Sequence, residues 1–336
     1  MISFGVIDHL DRQQLPIAET YRSRLDLVRR YDEAGFHAFH LTEHHFTPLG
    51  LAPSPLIFLS AAASVTSRIK LVPLVLILPL YHPVRLAGEI AMLDHLSGGR
   101  VEFATGKGIS PYELAHYGVN HLEAARIHAE ARELLLQALT QDRVDFAGRY
   151  FSVFDAPIEL RPLQQPHPPM WQATSRPAGG IEAAKAGRNM AFLLPAERVR
   201  PITDAYRGAW RETHGAEPLP KLGIARHIYV ADTDAEAQER ARVGFGQWYR
   251  QFGYLWEKYD ARGVKDDGEH RRATMVIAGT ADRVADEIAR QTEIAGCNYF
   301  IARFAYGELS HAESVASLDR FVERVMPQFS DIREVA

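Results

Sequence analysis

The residues with the most chemical potential lie together in His40-Leu41-Thr42-Glu43-His44-His45-Phe46. Histidine exchanges a proton near neutral pH, and a neighbouring carboxylate can orient its ring or stabilise its cation, so this run can do acid–base work. With His37 it could also hold a metal, but adjacent residues on an extended segment point to opposite sides, and no second acidic or histidine cluster stands at ligand spacing to complete a shell. A structural reading, in which one histidine packs and another caps a loop, fits the same residues. In Tyr81-His82-Pro83-Val84-Arg85, Pro83 suits a first helical turn and makes His82 a cap or loop anchor. Gly106-Lys107-Gly108 offers a compact positive charge between two residues that let a ligand approach the backbone. Thr174-Ser175-Arg176-Pro177-Ala178-Gly179-Gly180 places hydroxyls and free N–H groups at a helix start, which makes an anion site. Arg126 could reach the same anion or be a solvated helix charge. Lys107, Arg126 and Ser175 together suggest a phosphate-bearing ligand.

These groups stand at the ends of short apolar runs, each followed by a stretch with helical spacing. Strands are expected at 2–7, 38–42, 69–77, 101–105, 170–174, 190–194, 222–230 and 299–304. Helices are expected at 20–34, 84–96, 122–139, 179–186, 198–213, 235–246 and 311–325, several of them stopping at Gly35, Gly98, Gly187 and Gly296. Eight parallel strands with crossover helices predict an α/β fold, a (β/α)8 TIM barrel with insertions in the βα loops, spanning 1–336 as one domain. An open doubly wound sheet is the competitor, but Gly106-Lys107-Gly108-Ile109-Ser110-Pro111 lacks the third glycine of a dinucleotide fingerprint and no linker is visible. Two insertions stand out: 142–168, which reads as a hairpin around Gly148, and 248–272, a candidate lid. Arg226, His227 and Arg303 fall in strands and could face the barrel mouth. Trp171 and Met190 read as barrel packing, and Cys297 as a buried inert thiol.

The chain has 336 residues, 46% hydrophobic and 24% charged, with 38 Lys and Arg against 42 Asp and Glu for a net charge of −4. That balance argues against nucleic acid or an anionic membrane and for a small molecule as partner. The longest apolar stretch, 71–81, is broken by Pro73 and Pro79 and falls short of the roughly 18 residues a spanning helix needs, so no membrane segment is expected. No export signal is visible in MISFGVIDHL, and a single cysteine precludes an internal disulfide, so a cytoplasmic location is expected.

Several motifs in order resemble the bacterial luciferase-like flavin monooxygenases. They are Phe4-Gly5, Glu43-His44-His45-Phe46, Leu78-Pro79 to His82-Pro83-Val84-Arg85, Leu93-Asp94-His95-Leu96-Ser97-Gly98-Gly99-Arg100, Gly279-Thr280 and Val325-Met326-Pro327, and they run essentially end to end. The resemblance implies a (β/α)8 barrel holding reduced FMN at its C-terminal mouth. It puts the phosphate near Lys107, Arg126, Thr174 and Ser175, and the ring against Leu74-Val75 across a cis peptide. It implies His44 as the catalytic histidine; since the adjacent His45 should point to the other side of an extended segment, His45 is expected to be mainly structural. It further implies no metal, a peroxide formed from reduced flavin and O2 that attacks a carbonyl or similar carbon of a small organic substrate, a separate NAD(P)H-dependent flavin reductase, and a homodimer. Lys107, Gly106 and Thr174 stand where the light-emitting luciferase subunit has arginine, a reactive cysteine and glutamate, which leaves bioluminescence unsupported. The alternatives within this resemblance are hydride transfer from a deazaflavin, or flavin binding without turnover.

Overall fold

Parallel strands buried on both faces need apolar side chains on both, which is why continuous hydrophobic runs rather than alternating ones mark this sheet. The structure, a computed structural model, describes residues 2–256 and 269–329. Its strands are β1 (Ser3–Asp8), β2 (Ala38–Leu41), β3 (Lys70–Pro73), β4 (Leu76–Ile77), β5 (Phe103–Gly106), β6 (Arg143–Ala147), β7 (Ser152–Pro157), β8 (Met170–Gln172), β9 (Asn189–Phe192), β10 (Leu222–Val230), β11 (Val276–Gly279) and β12 (Tyr299–Arg303). One sheet runs β3-β2-β1-β12-β10-β9-β8-β5-β4, every pairing parallel, and a bridge between Leu71 of β3 and Val101, just ahead of β5, joins its two ends. The result is the expected TIM barrel.

Its interior is filled by Ala38, Val72, Ala104, Trp171, Ala191, Ala225, Tyr299 and Ile301, small residues facing large ones. A larger layer, including Met190, packs between the strands and the surrounding helices. All nine positions of β10 are buried, and Arg226 turns outward there, where its Nε donates to Gln291 Oε1 (2.6 Å) and its Nη2 to Leu194 O (3.0 Å).

The structure departs from the sequence expectations in identifiable ways. The run 69–77 is two strands, β3 and β4, interrupted at the cis peptide Leu74–Val75. A tenth parallel strand, β11, pairs with the upper half of β10. The helix Pro55–Ser64 went unread because its apolar residues run all the way round, so it shows no 3.6-residue period. The insertion at 142–168 contains the expected hairpin, β6–β7, whose turn is pinned by Glu130 accepting from the amides of Arg149, Tyr150 and Phe151. The candidate lid begins differently: 248–253 are the last turns of the helix Asp234–Gly253, and 257–268 lie outside the described residues.

Candidate functional site

The C-terminal ends of the strands surround a cavity of about 750 Å³. Ile7, Leu74, Val75, Ile77, Ala225 and Ile301 give it apolar walls, and the polar groups divide into two sides. Going round the barrel, β12 and β1 stand diametrically opposite β5 and β8, so the ends of those strands face each other across the mouth.

On the first side stand His9 after β1, His44 after β2 and Arg303 at the end of β12. His44 Nδ1 lies 3.1 Å from Glu113 Oε1, which also accepts from the His45 amide (2.7 Å). A carboxylate there selects the tautomer with the proton on Nδ1 and leaves Nε2 as the lone-pair nitrogen. Glu113 sits in the short helix Pro111–His116, capped by Ser110 Oγ, which accepts from the Glu113 amide. The spacing Ser110-x-x-Glu113 is that of a capping box, but this glutamate gives its carboxyl to the histidines instead of to the cap. His9 stacks on His44, rings 3° from parallel and 5.5 Å apart, and burial with the positive charge of Arg303 pushes its pKa well down, so it is neutral.

His45 does not line the cavity. Its Nε2 pairs with Glu43 Oε1 (2.8 Å) and its Nδ1 with the Tyr117 hydroxyl (3.0 Å), while Glu43 Oε2 accepts from the Ile77 amide (3.0 Å). This chain of bonds ties the end of β2 to β4, just past the cis peptide Leu74–Val75. Above it, the end of the helix Asp234–Gly253 is bound to three loops. Gln251 Nε2 donates to Arg12 O (2.7 Å), Thr47 Oγ1 to Gln251 O (3.4 Å), and Ser110 Oγ to Leu255 O (2.7 Å).

Arg303 is buried, its guanidinium 5.1 Å above the Trp248 ring and its Nη1 2.9 Å from His227 Nε2. Its Nε and Nη2 have no hydrogen-bond partner. Burial lowers its pKa to about 10, which leaves it cationic at neutral pH.

The opposite side is cationic and more open. Lys107, Thr174 and Ser175 line the same cavity, with Arg176 beside them and the helix Pro177–Lys185 starting there. Gly179 faces Thr174 so closely that a Cβ would collide with its hydroxyl, and a Cβ on Gly106 would collide with Val75. At both positions a neighbouring side chain fills the space that a Cβ would need. Below lies a polar network: Arg188 Nη1 donates to Gln172 Oε1 (2.7 Å), and Arg132 and Arg188 both pair with Glu182 (3.1 and 3.3 Å).

Leu74 and Val75 line the cavity beside Gly106. Arg126 does not reach it: its side chain is exposed and pairs with Glu123 at 2.6 Å. The reason is helical phase. On the helix Ala124–Thr140 the cavity is lined by Ala125, His128 and Arg132, an i, i+3, i+7 stripe, and Arg126 is turned about 100° away from it. Sequence reasoning missed His9, Glu113, Arg132 and Arg188. The helix stripe could have pointed to Arg132, and the Ser-x-x-Glu spacing drew no notice for Glu113. Among the described residues no group of three or more His, Cys, Asp or Glu is placed to hold a metal ion, and no helix is long and apolar enough to cross a membrane. Cys297 is half-buried, and its thiol pKa is pushed up to about 12 by burial, which keeps it protonated.

Residues 2–298 match the family described as luciferase-like monooxygenase. Protein y4wF of Sinorhizobium fredii is 38% identical over 92% of both chains. The oxygenase component of a flavin-dependent trigonelline monooxygenase from Acinetobacter baylyi is 27% identical, covering 98% of this chain and 96% of its own. Among solved structures, monooxygenase RslO1 from Streptomyces bottropensis superposes with a TM-score of 0.88 at 25% identity, covering 98% of this chain and all of its own. The oxygenating constituent of 3,6-diketocamphane monooxygenase from Pseudomonas putida, in complex with FMN, does so at 0.79 and 20% identity (97% and 98% covered). The coenzyme F420-dependent tetrahydromethanopterin reductase of Methanopyrus kandleri shares the fold at 0.71 and 19% identity (98% and 99%). With the family match covering most of its length, the chain belongs to the luciferase-like monooxygenases and is an enzyme of that type.

Proposed function

We propose that this chain is the oxygenase component of a two-component system, taking reduced FMN from a separate NAD(P)H-dependent flavin reductase and placing one oxygen atom of O2 on a small organic substrate. The observation that carries this reading is the buried His44–Glu113 pair on the wall of a largely apolar cavity whose opposite wall is cationic. A relative named as an oxygenase component and a structural neighbour holding FMN support it.

The residues fit the cofactor. Lys107, Thr174 and Ser175, with the N-terminus of the helix Pro177–Lys185, suit its phosphate, since cations, hydroxyls and unpaired amides converge there. Leu74, Val75 and Gly106 form an apolar shelf free of a side chain at the glycine, which suits a flat ring. When bound, reduced flavin supplies the two electrons that activate O2, so that one oxygen atom enters the substrate and the other leaves as water.

His44 exchanges the proton at Nε2, because Glu113 holds its Nδ1. The stacked, neutral His9 adds no competing charge. His45 positions Glu43, which anchors the shelf through Ile77. The apolar walls exclude water that would divert oxygen from the substrate.

The test mixes the protein anaerobically with reduced FMN or a reduced deazaflavin and then admits ¹⁸O2 with a panel of carbonyl compounds. One ¹⁸O atom in a product formed with FMN is expected. Hydride transfer from the deazaflavin without oxygen incorporation would replace this reading by the reductase one.

A further inference from the structure

Arg24, Arg100, Arg226 and Arg303 are all buried, and three of them show how this fold settles such a charge. Arg24 pairs with Asp8 (3.0 Å) and Asp11 (3.2 Å). Arg100 donates to Ser97 O, Ile69 O, Ala63 O and the Thr66 hydroxyl. Arg226 is bonded through Nε, Nη1 and Nη2. Arg303 alone of the four lines the cavity and has no carboxylate in contact; like Arg24 it keeps two nitrogens without a hydrogen-bond partner, but Arg24 has two carboxylates against it to balance its charge. Asp8 and Asp11 act on it only from a distance, since Arg24 and the amides of Leu10 and Gly307 occupy them. A buried guanidinium with unmade hydrogen bonds is costly, and the cost is offset when a ligand makes them.

Resting on the monooxygenase reading above, we propose that Arg303 anchors a carboxylate of the organic substrate, across the mouth from the cationic wall that suits the cofactor. Nε and Nη2 form one edge of the guanidinium fork, two parallel donors that match the two oxygens of a carboxylate. Arg303 lines the cavity with both of these nitrogens shielded from solvent, so a carboxylate that reaches them meets donors with no water competing for them. Among the described residues no unbalanced second cation stands beside them: His9 and His227 are held neutral by burial and by Arg303 itself, and Arg24 is paired with Asp8 and Asp11, which suits a monoanion better than a phosphate dianion. Phe252, Ile7 and Ile301 line the same cavity and suit an apolar body on that carboxylate.

The test uses FMN-loaded protein and three probe pairs: benzoate, phenylacetate and 3-phenylpropanoate, each against its primary amide, titrated calorimetrically. In the unaltered protein at least one carboxylate should bind ten times more tightly than its amide. In Arg303→Gln the preference should fall to within twofold, and in Arg303→Lys, which keeps the charge but loses the fork, it should drop at least threefold. FMN affinity, measured in parallel, should stay within threefold in both. The proposal is overturned if no pair discriminates in the unaltered protein, if discrimination survives in Arg303→Gln, or if that variant loses FMN more than tenfold, which would make Arg303 a cofactor contact. Should Arg303→Gln fail to fold, undiminished discrimination in Arg303→Lys overturns it equally. Failure of the unaltered protein to bind FMN would remove the flavin reading, and the carboxylate comparison is then scored on the protein alone.

Discussion

The two sides of the cavity solve the placing of polar groups differently. On the side of β5 and β8, Lys107, Ser175 and Arg176 are exposed, and what places them is backbone: a glycine beside Val75, another beside Thr174, and a helix start. Across the mouth, His9, His44, Glu113 and Arg303 are buried, and each is held by another side chain. Exposed cations are screened by water and contribute little singly, so binding there is spread over several groups. Buried groups have no water to fall back on, and removing one leaves its partner orphaned. The open side therefore suits recognition of a charged ligand, and the closed side suits chemistry that depends on one proton at one atom.

The contrast can be broken most sharply at His44. His44→Ala should lower product formation by about 10²–10⁴ with FMN affinity retained, the reduced flavin being consumed to hydrogen peroxide instead. His45→Ala should retain more of the coupling; if His45→Ala abolishes product and His44→Ala does not, the two roles are exchanged.

Acid should act next most strongly, and on the closed side. His9, His40 and His227 have pKa values lowered by burial, His40 to about 4. Below the ordinary value near 6.5 the unfolded chain takes up these protons and the folded chain does not, so stability falls as pH falls. Three such groups give a slope of up to about 4 kcal/mol per pH unit between about pH 4 and 6. Asp11, raised to about 6 by burial, works the other way, favouring the folded state below about pH 6, so the measured slope should be somewhat smaller. Denaturant melts at pH 7, 6 and 5 check this, and a flat profile would show that the histidines are not neutral and buried.

Glu113→Gln should lower kcat by about tenfold with KM little changed, because a neutral amide cannot hold the imidazole as the carboxylate does. On the open side, Lys107→Ala should weaken FMN binding by about tenfold and riboflavin binding by less than twofold, since one charge-assisted contact is lost. Equal losses would remove the phosphate assignment. The smallest effect, under twofold for either flavin, is expected for Arg126→Ala, which faces solvent.

What could be read from the sequence follows the same physical divide. Eight staves were legible because burial on both faces forces apolar runs, and the strand ends then pointed to the loops that carry the site. The separation of His44 from His45 followed from alternation along an extended segment: the one lines the cavity and the other turns to Glu43 and Tyr117. The cis bond at Leu74–Val75 was expected only through resemblance, since neither residue type signals it. β11 was not expected, although it is no shorter than β2, β5 or β9. Glu113 lies 69 residues from His44, and no local pattern brings such a pair together. Arg126 was chosen for its charge and nearness in sequence, whereas helical phase gave the cavity to Arg132.

The bonds from the end of the helix Asp234–Gly253 have a mechanical consequence. Arg12, Thr47 and Ser110 belong to the loops after β1, after β2 and after β5, and all three are latched to the single stretch 251–255. A loop so fastened does not swing alone: lifting that stretch releases all three, and keeping it seated holds all three. These three loops thus behave as one arch with a common keystone, while among the described residues the run 174–176, after β8, makes no hydrogen bond to that stretch, so the rim of the mouth is not uniformly fastened.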